Sequence, residues 1–177
     1  IENDFTAVIP KGTEIDLDLS GATIGANVPK TAGHVIKNQG TLNITDGTIT
    51  SDAENGGSAI YNAGTLTLEN VKVVGAPRSG SSWPSYAINN YGDMTVNDAV
   101  ISSTHGAVSC NGGGTTVFNN TEITMNGFDG SSHVFYIGGA GTKVIVNSGT
   151  YTHKGNGDGS LAYIMTGATI EINNGIN

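Results

Sequence analysis

The chain has 177 residues, 27 glycines, only 12% charged residues and a formal net charge of -8. Seven Lys+Arg against fifteen Asp+Glu make a surface that repels phosphate backbones, which argues against a nucleic-acid partner. No apolar run is long enough to cross a membrane as a helix, and the Thr-, Asn- and Gly-rich composition argues against a helical protein. No secretory signal is visible and the first residue is not Met, so the chain is expected to start after processing or to be part of a longer one.

The opening stretch, residues 1–30, holds Val8-Ile9-Pro10-Lys11-Gly12-Thr13 and then the alternating Glu14-Ile15-Asp16-Leu17-Asp18-Leu19. It fits an irregular first coil or cap. From residue 31 to 177 a phrase recurs: a small apolar pair, an Asn, a Gly, then a Thr-rich alternating run. It reads Val35-Ile36-Lys37-Asn38-Gln39-Gly40-Thr41-Leu42, then Ala59-Ile60-Tyr61-Asn62-Ala63-Gly64-Thr65-Leu66, then Ala87-Ile88-Asn89-Asn90-Tyr91-Gly92-Asp93-Met94. Looser copies start at Ala107, Val134 and Ala162, so successive copies are 24, 28, 20, 27 and 28 residues apart. A strand-built period of this length marks a solenoid, in which no coil can bury its apolar face without neighbours. The expected fold is all-β, a single domain of six to seven coils with three short strands each. At about 4.8 Å per coil it spans roughly 30 Å.

Side chains alternate across a strand, so one column of the first strand points inward: Ile36, Ile60, Ile88, Val108, Phe135 and Tyr163. Two residues later stand Asn38, Asn62, Asn90, Cys110, Ile137 and Met165. Three stacked inward asparagines predict an amide ladder, each side chain bonding its counterpart in the next coil. Cys110 then reads as a buried thiol. The second strand carries Leu42/Ile44, Leu66/Leu68, Met94/Val96, Thr116/Phe118, Val144/Val146 and Ile170/Ile172 inward. A bend follows at Asp46-Gly47, Asn70, Asp98, Asn120, Ser148-Gly149 and Asn174-Gly175, residues that tolerate a left-handed backbone. Ile49, Val73, Ile101, Ile123 and Tyr151 lead the third strand. The corner from the third strand to the next coil varies in length, and insertions in solenoids collect on one edge, often the binding edge.

These residues resemble the right-handed parallel β-helix, or pectin-lyase-like, superfamily. Gly56-Gly57-Ser58-Ala59-Ile60-Tyr61-Asn62 is similar to the repeats of bacterial polymorphic surface proteins. Ile9-Pro10-Lys11-Gly12-Thr13 followed by Asp16-Leu17-Asp18-Leu19-Ser20-Gly21-Ala22-Thr23-Ile24 is similar to β-helices of bacteriophage tailspikes, appendages and capsid decorations. The resemblance implies an extracellular or virion setting and, for phage members, a trimer.

Chemistry is sparse along the chain. Lyases that resemble this fold group Asp residues around Ca²⁺ beside a basic residue, yet Arg78 is the only Arg and sits in a Gly/Ser/Pro loop. Asp16 and Asp18 share a strand face with no cleft to group them as a glycosidase pair, so surface carboxylates are the better account. Asp129, His133, His153 and Asp158, with Asp52, Glu54 and His105, fall on the variable edge. They suit a divalent cation, Ca²⁺ first, or are ordinary hydrated loops. Trp83, the only Trp, shares the longest loop with Arg78 and lies near Tyr86; these three make a glycan- or partner-docking spot, or Trp83 folds back over the edge. The outward Thr and Asn ranks, with Asn43 and Asn97 among them, raise ice binding, but Asp93, Val117, Lys143 and Glu171 interrupt them. No catalytic residue and no cofactor are expected. The expected role is a non-enzymatic display protein on a phage exterior, working as a homo-oligomer with other virion proteins and touching cell-surface polysaccharide. A secreted adhesin and a polysaccharide lyase or hydrolase are the alternatives. Small outward residues at Ala59, Ala87 and Ala107 are expected to offer a smooth lateral face to a neighbouring subunit.

Overall fold

Short apolar-polar alternation punctuated by Gly, Asn and Asp leaves the chain only strands and corners, and the described residues contain no helix. The structure, a computed structural model, describes residues 6–26, 33–52, 57–75, 85–127, 133–154 and 159–173. Its strands, numbered β1 to β18 in chain order, stack into a parallel β-solenoid with three walls. The first wall is a 7-stranded sheet of β1 (Ala7–Ile9), β4 (His34–Asn38), β6 (Ser58–Asn62), β8 (Tyr86–Asn90), β11 (Gly106–Cys110), β14 (His133–Ile137) and β17 (Ser160–Ile164). The second wall holds β2 (Glu14–Asp18), β9 (Asp93–Asn97), β12 (Thr115–Asn119), β15 (Lys143–Val146) and β18 (Thr169–Ile172). The third holds β3 (Thr23–Ala26), β10 (Val100–Ser103), β13 (Thr121–Met125) and β16 (Gly149–His153). Two long strands, β5 (Thr41–Ser51) and β7 (Thr65–Val74), run through the corner between these walls and fuse them into one 11-stranded sheet. The seven strands of the first wall agree with the six to seven coils expected.

Every pairing is parallel, so like residues stack on like residues. Ile36, Ile60, Ile88, Val108 and Phe135 form one interior column. Ile49, Val73, Ile101, Ile123 and Tyr151 form another. All ten are buried in one continuous core. The bend residues do what their chemistry allows: Asp46, Asn70, Asp98 and Asn120 have φ of 55°, 53°, 49° and 50°. Ser20 takes the same role in the first coil, at φ 46°.

Two sequence expectations fail here. Ala59, Ala87 and Ala107 are wholly buried, not outward. The ladder pairs His34 with Ser58 and Ile36 with Ile60 but skips Val35. Alternation breaks at that point, so Val35 and Ile36 both turn inward, and the alanines fill the same place in later coils. In the last coil, Phe135 pairs with Ala162 and Ile137 with Ile164, which displaces Tyr163 and Met165 from the interior columns. A one-residue slip moves a side chain to the opposite face, and Tyr163 stands outside, 49% exposed.

The corner from the first to the second wall takes two forms, and one residue selects between them. Where the last interior residue is Asn38, Asn62 or Asn90, the connection is two residues long. The Asn Oδ1 accepts the N–H of Gly40, Gly64 or Gly92 at 3.0–3.2 Å, so the side chain closes the corner. Where that residue is Ile9, Cys110, Ile137 or Ile164, the connection is four or five residues and contains a glycine at φ near 80°: Gly12, Gly112, Gly139 or Gly167. Three of these longer corners close through backbone bonds instead, Thr13 N–H to Pro10 O, Thr142 N–H to Gly139 O and Ala168 N–H to Met165 O. In the short form the chain passes so close to the rung below that a Cβ on Gly92 would strike the carbonyl of Gly64.

Candidate functional site

Three features of the outer and inner faces carry chemistry. The first is the interior amide ladder. Asn38 Nδ2 donates to Asn62 Oδ1 at 2.7 Å, Asn62 Nδ2 to Asn90 Oδ1 at 2.7 Å, and Asn90 Nδ2 to Thr116 Oγ1 at 2.9 Å. Each amide is buried and also bonds a backbone carbonyl, so this is a structural network. Cys110 follows in the same column, and burial pushes its thiol up to about 12, leaving it protonated and inert.

The second feature is a polar ladder on the outer face of the second wall. Asn173 donates to Asn147, Asn147 to Asn119 and Asn119 to Asn97, each at 2.7 Å, and Asn97 donates to the Glu69 carboxylate at 2.8 Å. It runs toward the N-terminal end, opposite to the interior ladder. Its signal lies in the sequence as an outward Asn at or just past the end of the second strand in four successive coils, and an outward rank alone does not show that these side chains bond one another. At that bend Asn70 donates to Asp46 and Asn120 to Asp98. Shallow grooves of about 310 and 290 Å³ follow this corner.

The third feature is the outer side of the first wall, which gathers five of the six tyrosines. Because the break at Val35 sends positions 34 and 37 outward, His34 lies over Tyr61 at 4.9 Å and Tyr61 stacks on Tyr91 at 5.4 Å. Lys37 Nζ sits 5.9 Å from the Tyr61 ring. Near the other end His133 stacks on Tyr163 at 5.1 Å, Tyr163 on Tyr136 at 5.6 Å, and Tyr136 meets Tyr86 at 6.2 Å. Tyr91 and Tyr163 are about half exposed, at 45% and 49%. The strands of this wall contain no Asp or Glu, although the whole chain is acidic.

The two histidines sit in matching surroundings. His34 Nδ1 is 2.9 Å from Ser58 Oγ, and His133 Nδ1 is 2.9 Å from Ser160 Oγ. This has the look of a nucleophile and its base, and proton counting decides against it. Each serine already donates its single hydrogen to a carbonyl, Ser58 to Ile60 and Ser160 to Ala162. Its oxygen therefore accepts from a protonated Nδ1, and the histidine has no lone pair facing the serine with which to activate it. Burial, with Lys37 adding to it, lowers the His34 pKa to about 4; burial, with His153 adding to it, lowers that of His133.

Of the residues singled out as cation ligands, the structure brings His133 and His153 within electrostatic reach of each other, while Asp129 and Asp158 lie outside the described residues. No group of three or more His, Cys, Asp or Glu side chains suited to a metal occurs among the described residues. Of the docking residues, Arg78 and Trp83 lie outside the described residues, and Tyr86 is buried, its ring packed where a Cβ on Gly106 would otherwise go. His105 is buried as well, in the two-residue corner between β10 and β11, because that coil has no insertion to carry it outward. Among the described residues no helix is long and apolar enough to cross a membrane. No protein-family model, no curated protein and no solved structure matches the chain.

Proposed function

We propose that this chain is a non-enzymatic display module on the exterior of a bacteriophage particle, a capsid decoration or appendage, where it contacts cell-surface polysaccharide. The observation that carries the reading is the carboxylate-free outer wall, where five tyrosines, two histidines and Lys37 stand on a rigid parallel sheet. Tyr91, which stacks on Tyr61, and Tyr163, which meets His133 and Tyr136, each keep about half their surface free for sugar C–H and hydroxyl groups. The similarity of the opening coil to phage β-helices supports the virion setting, and the same similarity supports a trimer. Binding is tested by retention of the chain on immobilised neutral and acidic polysaccharides, with release of reducing ends and unsaturated products measured alongside. Retention without product is expected, and Tyr91→Ala with Tyr163→Ala should abolish it. Product formation, or retention unchanged in the double variant, overturns the reading.

A further inference from the structure

The two ends of the second wall are built to fit each other and charged to stay apart. At the N-terminal end β2 pairs only with β5; at the C-terminal end β18 pairs only with β15. Among the described residues each therefore has one backbone edge with no partner strand, the feature by which strands recruit further strands. Both edges are open to solvent: Ile15 is 37% exposed and Ile172 55%.

Continuing the register one rung past β18 places the β2 strand of a second copy in the next position. The columns run Ile15, Leu42, Leu66, Met94, Thr116, Val144, Ile170 and Leu17, Ile44, Leu68, Val96, Phe118, Val146, Ile172. The second copy's Ile15 would lie over Ile170 and its Leu17 over Ile172, so the apolar columns of the second wall would continue. The outward columns do the reverse. Asp16 would come to lie over Glu171, about 4.8 Å along the stack. Glu14 and Asp18 flank it on the same exposed edge. Asp16 already accepts from Asn43, and Lys143 holds Glu171 ionised, with its pKa lowered. Like charges directly opposite in adjacent strands oppose pairing.

We propose that the acidic β2 edge is a guard against end-to-end assembly, with Asp16 opposing Glu171 of a second copy across an otherwise self-complementary apolar rung. The partner this surface takes, once the guard is removed, is another copy of the same chain, stacked head to tail in a parallel rod. The inference does not depend on the proposed polysaccharide contact, which lies on a different wall.

Sedimentation velocity on the full chain over a range of concentrations, with negative-stain images, tests it. The wild type should show no concentration-dependent linear stacks at neutral pH and low salt. Asp16→Lys replaces the repulsion by attraction to Glu171 and should form rods whose sedimentation coefficient climbs with concentration. Adding Glu171→Lys to that variant restores like charges and should return the wild-type profile. Circular dichroism on each variant checks that the solenoid is intact; Asp16→Asn with Asp18→Asn is the milder substitute if Asp16→Lys fails to fold. Rods in the wild type, no rods in any folded neutralised or reversed variant, or rods that persist in the double charge reversal would each overturn the proposal.

Discussion

The corner between the first and second walls is solved one way in the coils of Asn38, Asn62 and Asn90 and another way in the coils of Ile9, Cys110, Ile137 and Ile164. With Asn, the side chain caps the next-but-one backbone N–H and the chain turns in two residues. Without it, the corner needs four or five residues and places a glycine at positive φ, and in three of the four coils the backbone closes its own turn. The interior ladder is thus the consequence of a turn choice repeated in adjacent rungs. An amide can be buried there only because its neighbours above and below use its remaining donor and acceptor capacity. Where the column switches from Asn90 to Cys110, Thr116 Oγ1 accepts the last donor.

Breaking the apolar side of this comparison should have the largest effect. Ile88 is fully buried between Ile60 and Val108, so Ile88→Asp places a charge with no partner in the core. Loss of the β-type circular dichroism signal, or recovery only in aggregates, is the expected outcome. A soluble, cooperatively melting variant would contradict the core assignment. The polar side breaks more gently. Asn62→Ala removes the middle of the ladder, takes one of two partners from Asn38 Nδ2 and from Asn90 Oδ1, and leaves the Gly64 N–H without its side-chain acceptor, at a cost of about 1–3 kcal/mol. Asn119→Ala sharpens the contrast. It cuts an identical 2.7 Å ladder on the outer face, where water replaces the lost partner, and about 0.5 kcal/mol or less is expected. Urea unfolding of the pair measures both; equal costs would mean that burial is not what makes the interior ladder matter.

The interior columns and the left-handed bends were legible because both follow from one-residue rules, strict alternation and the tolerance of Asp and Asn for positive φ. Ile49, Val73, Ile101 and Ile123 stand where that rule puts them. The rule fails at Val35, where two consecutive side chains turn inward, and nothing in the local composition marks the break. From that break follow both the burial of Ala59, Ala87 and Ala107 and the outward turn of His34 and His133. The aromatic wall was therefore hidden: Tyr61, Tyr136 and Tyr163 are far apart in sequence, and the assumed register sent Tyr163 inside. In the last coil the corner before β17 carries one residue fewer than the repeat phrase suggests, and the phrase is too degraded there to reveal it.

The smallest effect belongs to the paired histidine stations, and its sign follows from the direction of the shift. His34 titrates at about 4 in the native state against 6.5 when unfolded, because the desolvated, Lys37-facing ring resists a proton. Between these values the unfolded chain holds more protons than the folded one. Stability contributed by the neutral ring is therefore complete above about pH 6.5, is lost as pH falls toward 4, and stops falling below that. Native His34 donates from Nδ1 to Ser58 and lies against Tyr61, so His34→Gln keeps a polar partner for the serine but removes the titration. The difference in melting temperature between wild type and His34→Gln should shrink or reverse from pH 7 to pH 4. His133→Gln should act in the same direction with a smaller amplitude, since the burial that lowers His133 is less complete. A difference that stays constant across that range would show that the His34 ring is not held neutral by its burial beside Lys37.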